Sequence, residues 1–158
     1  MKGPRKDPLP LAPRSAARLA AVQALYQMDL AQTDLNDVIG EFITLRLGPR
    51  AEDQALRDAD QEFFAAIVRG VVRRQREIDP IVDESLAEGW RLNRIDSILR
   101  AILRASVLEL IERPDVPARV VITEYVNVAH AFLGEDEPRV VNGVLDKLAR
   151  RFRAPEFA

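Results

Sequence analysis

The feature that most constrains this fold is the helical spacing of apolar residues, which repeats from segment to segment. It is clearest within residues 93–112, where one face carries Leu99, Ile102, Leu103, Ser106 and Leu110. Apolar residues at i, i+3, i+4 and i+7 are typical of an amphipathic helix, whereas a half-buried strand alternates with period two. Residues 118–122 are rich in β-branched side chains, but the helical register continues through them. The sequence therefore predicts an all-α fold.

Residues 14–30 add a second constraint, because they contain no glycine or proline and favour helix throughout. Their apolar positions form two stripes, one of Leu19, Val22, Tyr26 and Leu30 and another of Ala21, Leu25 and Met28. A helix that is apolar on two sides usually lies between other elements. We therefore expect a buried first helix.

The breaks in this pattern predict about seven helices in two small three-helix bundles. Four prolines predict a flexible, basic tail over residues 1–13. We expect an N-terminal helical subdomain over residues 14–80 and a C-terminal one over residues 81–158, within one compact unit.

The boundary between the subdomains rests on Asp79-Pro80, which is typical of an N-cap followed by the first helical position. It predicts a short new helix that ends at Gly89. The preceding helix, from about residue 60 to 77, would then carry arginines in its C-terminal half, where cations complement the negative end of the helix dipole. The arginines concerned are Arg69, Arg73, Arg74 and Arg76.

Composition excludes several classes of protein. A chain of 158 residues with 47% hydrophobic and 30% charged residues is typical of a globular protein with a sizeable core. No apolar run approaches the ~18 residues of a membrane-spanning helix, and the proline-broken start lacks the apolar stretch of a signal peptide. Without cysteine there is no disulfide or thiolate metal ligand. We expect a cytoplasmic protein.

Charge is spread unevenly along the chain, although the net charge is only −2. Asp7 is the only acidic residue among the first 18, which contain five basic residues: Lys2, Arg5, Lys6, Arg14 and Arg18. An acidic protein with one basic end suits a local anionic ligand better than indiscriminate coating of nucleic acid.

Few residues could carry out catalysis. His130 is the only histidine and lies three to four residues from Val126 and Leu133, a setting typical of a partly buried structural residue. The carboxylates lack the loop spacing of a calcium site, and there is no glycine-rich phosphate loop or nucleophile elbow. The sequence predicts a protein that is not an enzyme and has no cofactor or metal.

The basic end offers a binding site instead. Tyr26 lies two helical turns after Arg18, roughly 12 Å along the axis and approximately in line. Arginines contact phosphates and an aromatic ring stacks on an unpaired base, so a single-stranded RNA could bridge Arg14, Arg18 and Tyr26. The residues alone leave open the alternative that the arginines are a solvated helix start and that Tyr26 belongs to the core.

Four blocks resemble the NusB family of transcription antitermination factors, and they cover nearly the whole chain after residue 13. They are residues 21–30, 93–110, 116–129 and 140–150, and the last includes the string NGVLDK. The same helical domain is similar to the front part of ribosomal RNA cytosine methyltransferases. That second family adds a large catalytic domain, for which 158 residues leave no room.

The resemblance implies two three-helix bundles, with RNA bound at the arginine-rich start of the first helix. Family members pair with NusE, a small-subunit ribosomal protein, and the pair recognises the boxA element, a single-stranded RNA in ribosomal RNA leaders. The complex then joins other Nus factors on RNA polymerase and suppresses premature termination. The alternatives are a helical scaffold that makes no RNA contact of its own and a stand-alone relative of the N-terminal RNA-binding domain of ribosomal RNA cytosine methyltransferases.

The resemblance also implies particular RNA-binding residues. Arg14 and Arg18 match basic positions of the N-terminal motif, Tyr26 matches a tyrosine near the RNA, and Arg139 matches a basic position before the last helix. The arginine run is thinner than in some members, so the motif must rely on Lys2, Arg5 and Lys6 as well. Neither the pattern nor the resemblance fixes the oligomeric state, and a homodimer stays possible.

Overall fold

A computed structural model describes residues 11–158 as six α-helices, with no strand among those residues. The helices are α1 Pro13–Ala31, α2 Leu35–Glu41, α3 Gln61–Ser85, α4 Ser97–Glu112, α5 Ala118–Phe132 and α6 Asp136–Phe152. The predicted all-α class is confirmed, and so is the helix through residues 118–122. No described helix is both long enough and apolar enough to cross a membrane.

Short acidic side chains begin three of these helices. The Asp34 carboxylate accepts hydrogen bonds from two backbone N–H groups of α2, Asp60 accepts one from Phe63, and Asp96 accepts one from Ile98. Each bond satisfies a donor that the first helical turn leaves unpaired. After α2, a π-helical segment Phe42–Arg46 continues the chain before the loop that leads to α3.

The predicted count of seven helices is wrong by one, because α3 does not end before Pro80. It continues through this proline to Ser85. Proline has no backbone N–H, so the carbonyl four residues earlier loses its helical donor. Because Pro80 is exposed, that carbonyl can accept a hydrogen bond from water instead. Asp79 does not cap a helix, since both of its carboxylate oxygens accept hydrogen bonds from Arg104 at 2.9 Å.

The helices share one core instead of forming two separate bundles. α4 packs against α1, α3, α5 and α6, and α1 packs against α2 to α5. The crossing of α3 and α4 is close, because a Cβ placed on Gly70 would lie 2.5 Å from a methyl carbon of Leu108. The boundary predicted after residue 80 falls inside α3, and the division into two subdomains stays a prediction.

Candidate nucleic-acid interface

Arg14 lies in the first turn of α1 with 43% of its side chain exposed. Its guanidinium carbon is 4.6 Å from the centre of the Phe63 ring, and Nη1 is 3.5 Å from a carboxylate oxygen of Asp115. The ring belongs to the first turn of α3, and Asp115 to the turn between α4 and α5. A cation over an aromatic face is held without losing all its donors, so Arg14 can still bind an anion from solvent.

Arg113 occupies the same surface, although the sequence analysis did not identify it. Its guanidinium carbon lies 5.1 Å from the Phe63 ring centre, and Nη2 is 3.1 Å from Asp115. Burial opposes ionisation of Asp115, but the charges of Arg113 and Arg14 outweigh it and hold the pKa of this carboxyl below its ordinary value. One carboxylate thus serves two guanidinium groups, which leaves the surface positive.

A residue near the C-terminus holds the turn that carries Arg113 through hydrogen bonds. Arg153 follows α6 and is buried, and its guanidinium donates to the carbonyl oxygens of Leu110, Arg113 and Val116 at 2.7–2.9 Å. The bond to Leu110 satisfies a carbonyl that the last turn of α4 leaves without a helical partner, and the other two bonds hold the turn that follows α4. The only sequence signal for Arg113 is a basic residue in the turn after α4, and the sequence does not show that this turn meets the start of α1.

Arg18 is not part of this exposed surface. It is 3% exposed, Nε and Nη2 donate to Glu109 at 2.9 and 2.7 Å, and Nη1 donates to Glu124 at 2.7 Å. The hydroxyl of Tyr125 donates to the same Glu109 at 2.9 Å. The structure therefore corrects the expectation that Arg18 contacts RNA phosphates, because its donors already bind two carboxylates inside the protein.

In the buried cluster of Arg18, Glu109, Glu124 and Tyr125, the positive charge is paired with negative charge. Burial alone lowers the pKa of Arg18, but the hydrogen bond and charge of Glu109 outweigh it and raise that pKa above its ordinary value. Burial, followed by the charge of Glu109, raises the pKa of the Tyr125 hydroxyl well above its ordinary value. Ser15 also donates to Glu124. The cluster joins α1 to α4 and α5 and so fixes the position of the first turn of α1.

Tyr26 is half-buried and lies apart from Arg14. Twelve residues of helix separate them, which amounts to about 18 Å along α1 and about 120° around it. Tyr26 lines an apolar groove of about 440 Å³ together with Leu30, Ile98 and Phe132. The structure therefore leaves Tyr26 accessible, but it does not bring the ring together with the basic start of the helix.

Arg139 is exposed in the first turn of α6. The start of α1 contacts the turn before α5, and Leu30 near its end lines the same groove as Phe132 at the end of α5. The two helices therefore run in the same direction, and α6 begins at the Tyr26 end. Arg139 consequently lies on the side of the groove, roughly one helix length from Arg14.

The remaining predicted residues have simple outcomes. Lys2, Arg5 and Lys6 lie outside the described residues. His130 is exposed, so the expectation that it is partly buried is wrong. Residues 11–158 contain no group of three or more histidine, aspartate or glutamate side chains placed to hold a metal ion.

Comparison with known proteins shows the class of this helical chain. The model of the NusB family matches residues 15–150. The transcription antitermination protein NusB of Nitrobacter hamburgensis is 56% identical over 145 residues, covering 92% of this chain and 91% of that protein. The NusB of Rhodopseudomonas palustris (strain TIE-1) is 55% identical over 145 residues, covering 92% and 83%. Both relatives are named as transcription antitermination proteins. The chain belongs to the NusB family.

Solved structures agree with this assignment. T. maritima NusB superposes with a TM-score of 0.77 at 29% identity, covering 93% of this chain and 98% of that one. A chain from a crystal structure of a plectonemic RNA supercoil gives 0.72 at 25% identity, covering 88% and 95%. A chain from the complex of NusB and NusE with dsRNA gives 0.67 at 24% identity, covering 87% and 96%, and shows the fold alone.

Proposed function

We propose that this protein is a cytoplasmic transcription antitermination factor that binds the boxA element of nascent ribosomal RNA together with NusE. The complex then acts with other Nus factors on RNA polymerase and suppresses premature termination. The observation that carries this proposal is that the partly exposed Arg113 lies beside the partly exposed Arg14 at the start of α1, in a chain that belongs to the NusB family.

The proposed RNA contacts fall into two zones. The first contains Arg14 and Arg113, to which the basic residues of the N-terminal segment are added: Lys2, Arg5 and Lys6. The second contains Tyr26, which lines the apolar groove, and Arg139, which is exposed in the first turn of α6. Because the zones are roughly one helix length apart, an RNA that contacts both must extend over the protein surface for several nucleotides. Arg18 acts indirectly, since it holds the first turn of α1 in place.

The groove beside Tyr26 also suits a protein partner. Leu30 is 58% exposed at its edge and Phe132 is 38% exposed, and an apolar groove of this kind often marks an interaction site. The solved structures that this chain resembles show its fold. Which of its residues contact NusE is therefore part of the proposal. The competing possibility is a scaffold that binds NusE and leaves all RNA contacts to it.

Titration of labelled boxA RNA, with and without NusE, separates these possibilities. We expect the full chain to bind boxA more tightly than a scrambled RNA of the same length, and NusE to strengthen that binding. Arg14→Ala with Arg113→Ala should weaken binding and flatten its salt dependence, because fewer counterions are released. Unchanged affinity and salt slope in this double variant, with NusE present, would favour the scaffold.

A further inference from the structure

The helix dipole does not explain the arginines in the middle of α3. Arg69 to Arg76 lie nine or more residues before the end of the helix at Ser85, whereas the dipole acts within the last turn. The sequence prediction placed them at a helix end only because it ended α3 before Pro80. Four arginines in the middle of a helix therefore need another role.

Three of these arginines share one exposed face. Arg69, Arg73 and Arg76 follow at i, i+4 and i+7, so their side chains stand one above the other at about 5–6 Å per step. All three are exposed, and 59% of the Arg73 side chain is accessible. Arg69 donates one hydrogen bond to Asn36 at 3.1 Å, which leaves its other donors facing solvent.

This face continues the surface at the start of α1. Arg73 and Arg74 both bind Glu112 at the end of α4, and the next residue is Arg113. Burial opposes ionisation of Glu112, but its hydrogen bonds to the two arginines outweigh this and lower its pKa. We define the basic band as the six arginines that run from α1 across the end of α4 onto α3: Arg14, Arg113, Arg74, Arg73, Arg76 and Arg69.

The band is strongly positive in a protein whose net charge is −2. Its six arginines contact three carboxylates, those of Asp115, Glu112 and Glu77. From Phe63, which lies under Arg14, to Arg76 is thirteen residues of α3, or about 20 Å. The positive charge therefore forms a long row and not a compact site.

We propose that the basic band binds the phosphate backbone of RNA, so that the RNA continues from the start of α1 along the exposed face of α3. This inference rests on the proposed function, because it extends the same RNA. A row of separate arginines fits a chain of phosphates, which needs charge but no apolar contact. A protein partner would instead require an apolar or aromatic centre, and the face offers only Val72, which is 40% exposed.

The test uses the full chain with Arg73→Gln and Arg76→Gln. These side chains are exposed, and Glu112 keeps Arg74 as its partner, so folding should be unaffected. The matched control carries Arg91→Gln and Arg94→Gln, the same loss of charge at two exposed residues in the loop before α4. Binding is measured over a range of salt concentrations with boxA RNA, with boxA extended on both sides, and with an unrelated RNA of the extended length.

We expect the band variant to lose roughly tenfold in affinity for the extended RNA, with a salt slope shallower by about 1.4 for two lost phosphate contacts. The control should keep the affinity and slope of the unchanged protein. Since phosphate contacts do not depend on sequence, the same loss should appear with the unrelated RNA. The unrelated RNA therefore tests the band even if the protein does not recognise boxA. Failure to recognise boxA would overturn the proposed function but not the inference about the band.

Three results would overturn the inference. The band variant could bind every RNA like the unchanged protein, or the control could lose as much as the band variant, which would show a general charge effect. The third result is a band variant that binds RNA normally but no longer binds NusE, which would assign the face to a protein partner.

Discussion

Arg14 and Arg18 lie one turn apart on α1, yet they belong to two different environments. Arg14 is 43% exposed and reaches a single carboxylate at 3.5 Å, which it shares with Arg113. Arg18 is almost fully buried and makes four hydrogen bonds to two carboxylates. The first arrangement leaves a cation available to a ligand, whereas the second uses the cation to join helices.

The difference shows that burial decides the role of an arginine through the partners that a buried charge requires. A buried guanidinium must be paired, because the free energy cost of an unpaired buried charge is large. Glu109 is completely buried and supplies that pairing. At the exposed site, solvent screens the charges and the pair with Asp115 holds Arg14 only loosely.

The largest effect should follow from Arg18→Ala. It leaves Glu109 buried without its main partner, and removing one member of a buried pair typically costs about 3–5 kcal/mol in the free energy of unfolding. Guanidinium denaturation followed by circular dichroism measures this loss. A cost no larger than that of Arg14→Ala would break the distinction between the two arginines.

Arg18→Met with Glu109→Leu serves as the control for this variant, and it stays useful if Arg18→Ala does not fold. Replacing a buried pair by apolar side chains of similar volume is often close to neutral. We therefore expect the double variant to recover part of the lost stability, since it still leaves the buried Tyr125 hydroxyl without its acceptor. A double variant as unstable as the single one would show that packing, and not the unpaired charge, is responsible.

A smaller effect should follow from Tyr125→Phe, which removes one hydrogen bond to Glu109. The expected loss is about 1–2 kcal/mol, since a buried bond to a charged group is removed. The pKa of Tyr125 is raised in the folded protein, so its contribution is complete below the ordinary tyrosine pKa and is lost as the pH rises above it. The stability of the unchanged protein should therefore fall more steeply in alkali than that of Tyr125→Phe, and equal slopes would contradict this.

At the exposed site, Arg14→Ala should change stability by no more than about 1 kcal/mol. Its effect should appear in RNA binding, where affinity falls and the salt slope becomes shallower. Anisotropy of labelled RNA measures both, and Arg50→Ala is a matched exposed control. Substantial destabilisation without any change in the salt slope would place Arg14 in the same class as Arg18.

The smallest effect concerns Asp115→Asn. The pKa of Asp115 is lowered in the folded protein, so its contribution to stability is present above the ordinary aspartate pKa and is lost as the pH falls through the lowered one. The variant should thus show a slightly flatter decline in acid. It should also bind RNA slightly more tightly, because a negative charge is removed beside Arg14 and Arg113. Weaker binding would mean that Asp115 is needed to orient these arginines.

The sequence predicted the helices well because their apolar spacing is local. It failed at Pro80, since an exposed proline can continue a helix when the surrounding packing supports it. It also could not separate Arg14 from Arg18, because their carboxylate partners lie about a hundred residues away, on α4, on α5 and in the turn between these helices. A signal existed nonetheless: Glu109 interrupts an otherwise apolar stretch of α4, as Arg18 interrupts one in α1. One opposite charge in each of two buried helices is what a buried pair requires.

The guanidinium of Arg153 gives the last residues of the chain an unexpected importance. They follow the six helices and resemble a dispensable tail, yet Arg153 and Glu156 hold the backbone on both sides of the turn that bears Arg113. Shortening the protein after residue 152 would keep every helix and loosen the edge that faces the ligand. A purification tag is accordingly better attached through a spacer after Ala158, where it leaves the hydrogen bonds of Arg153 and Glu156 intact.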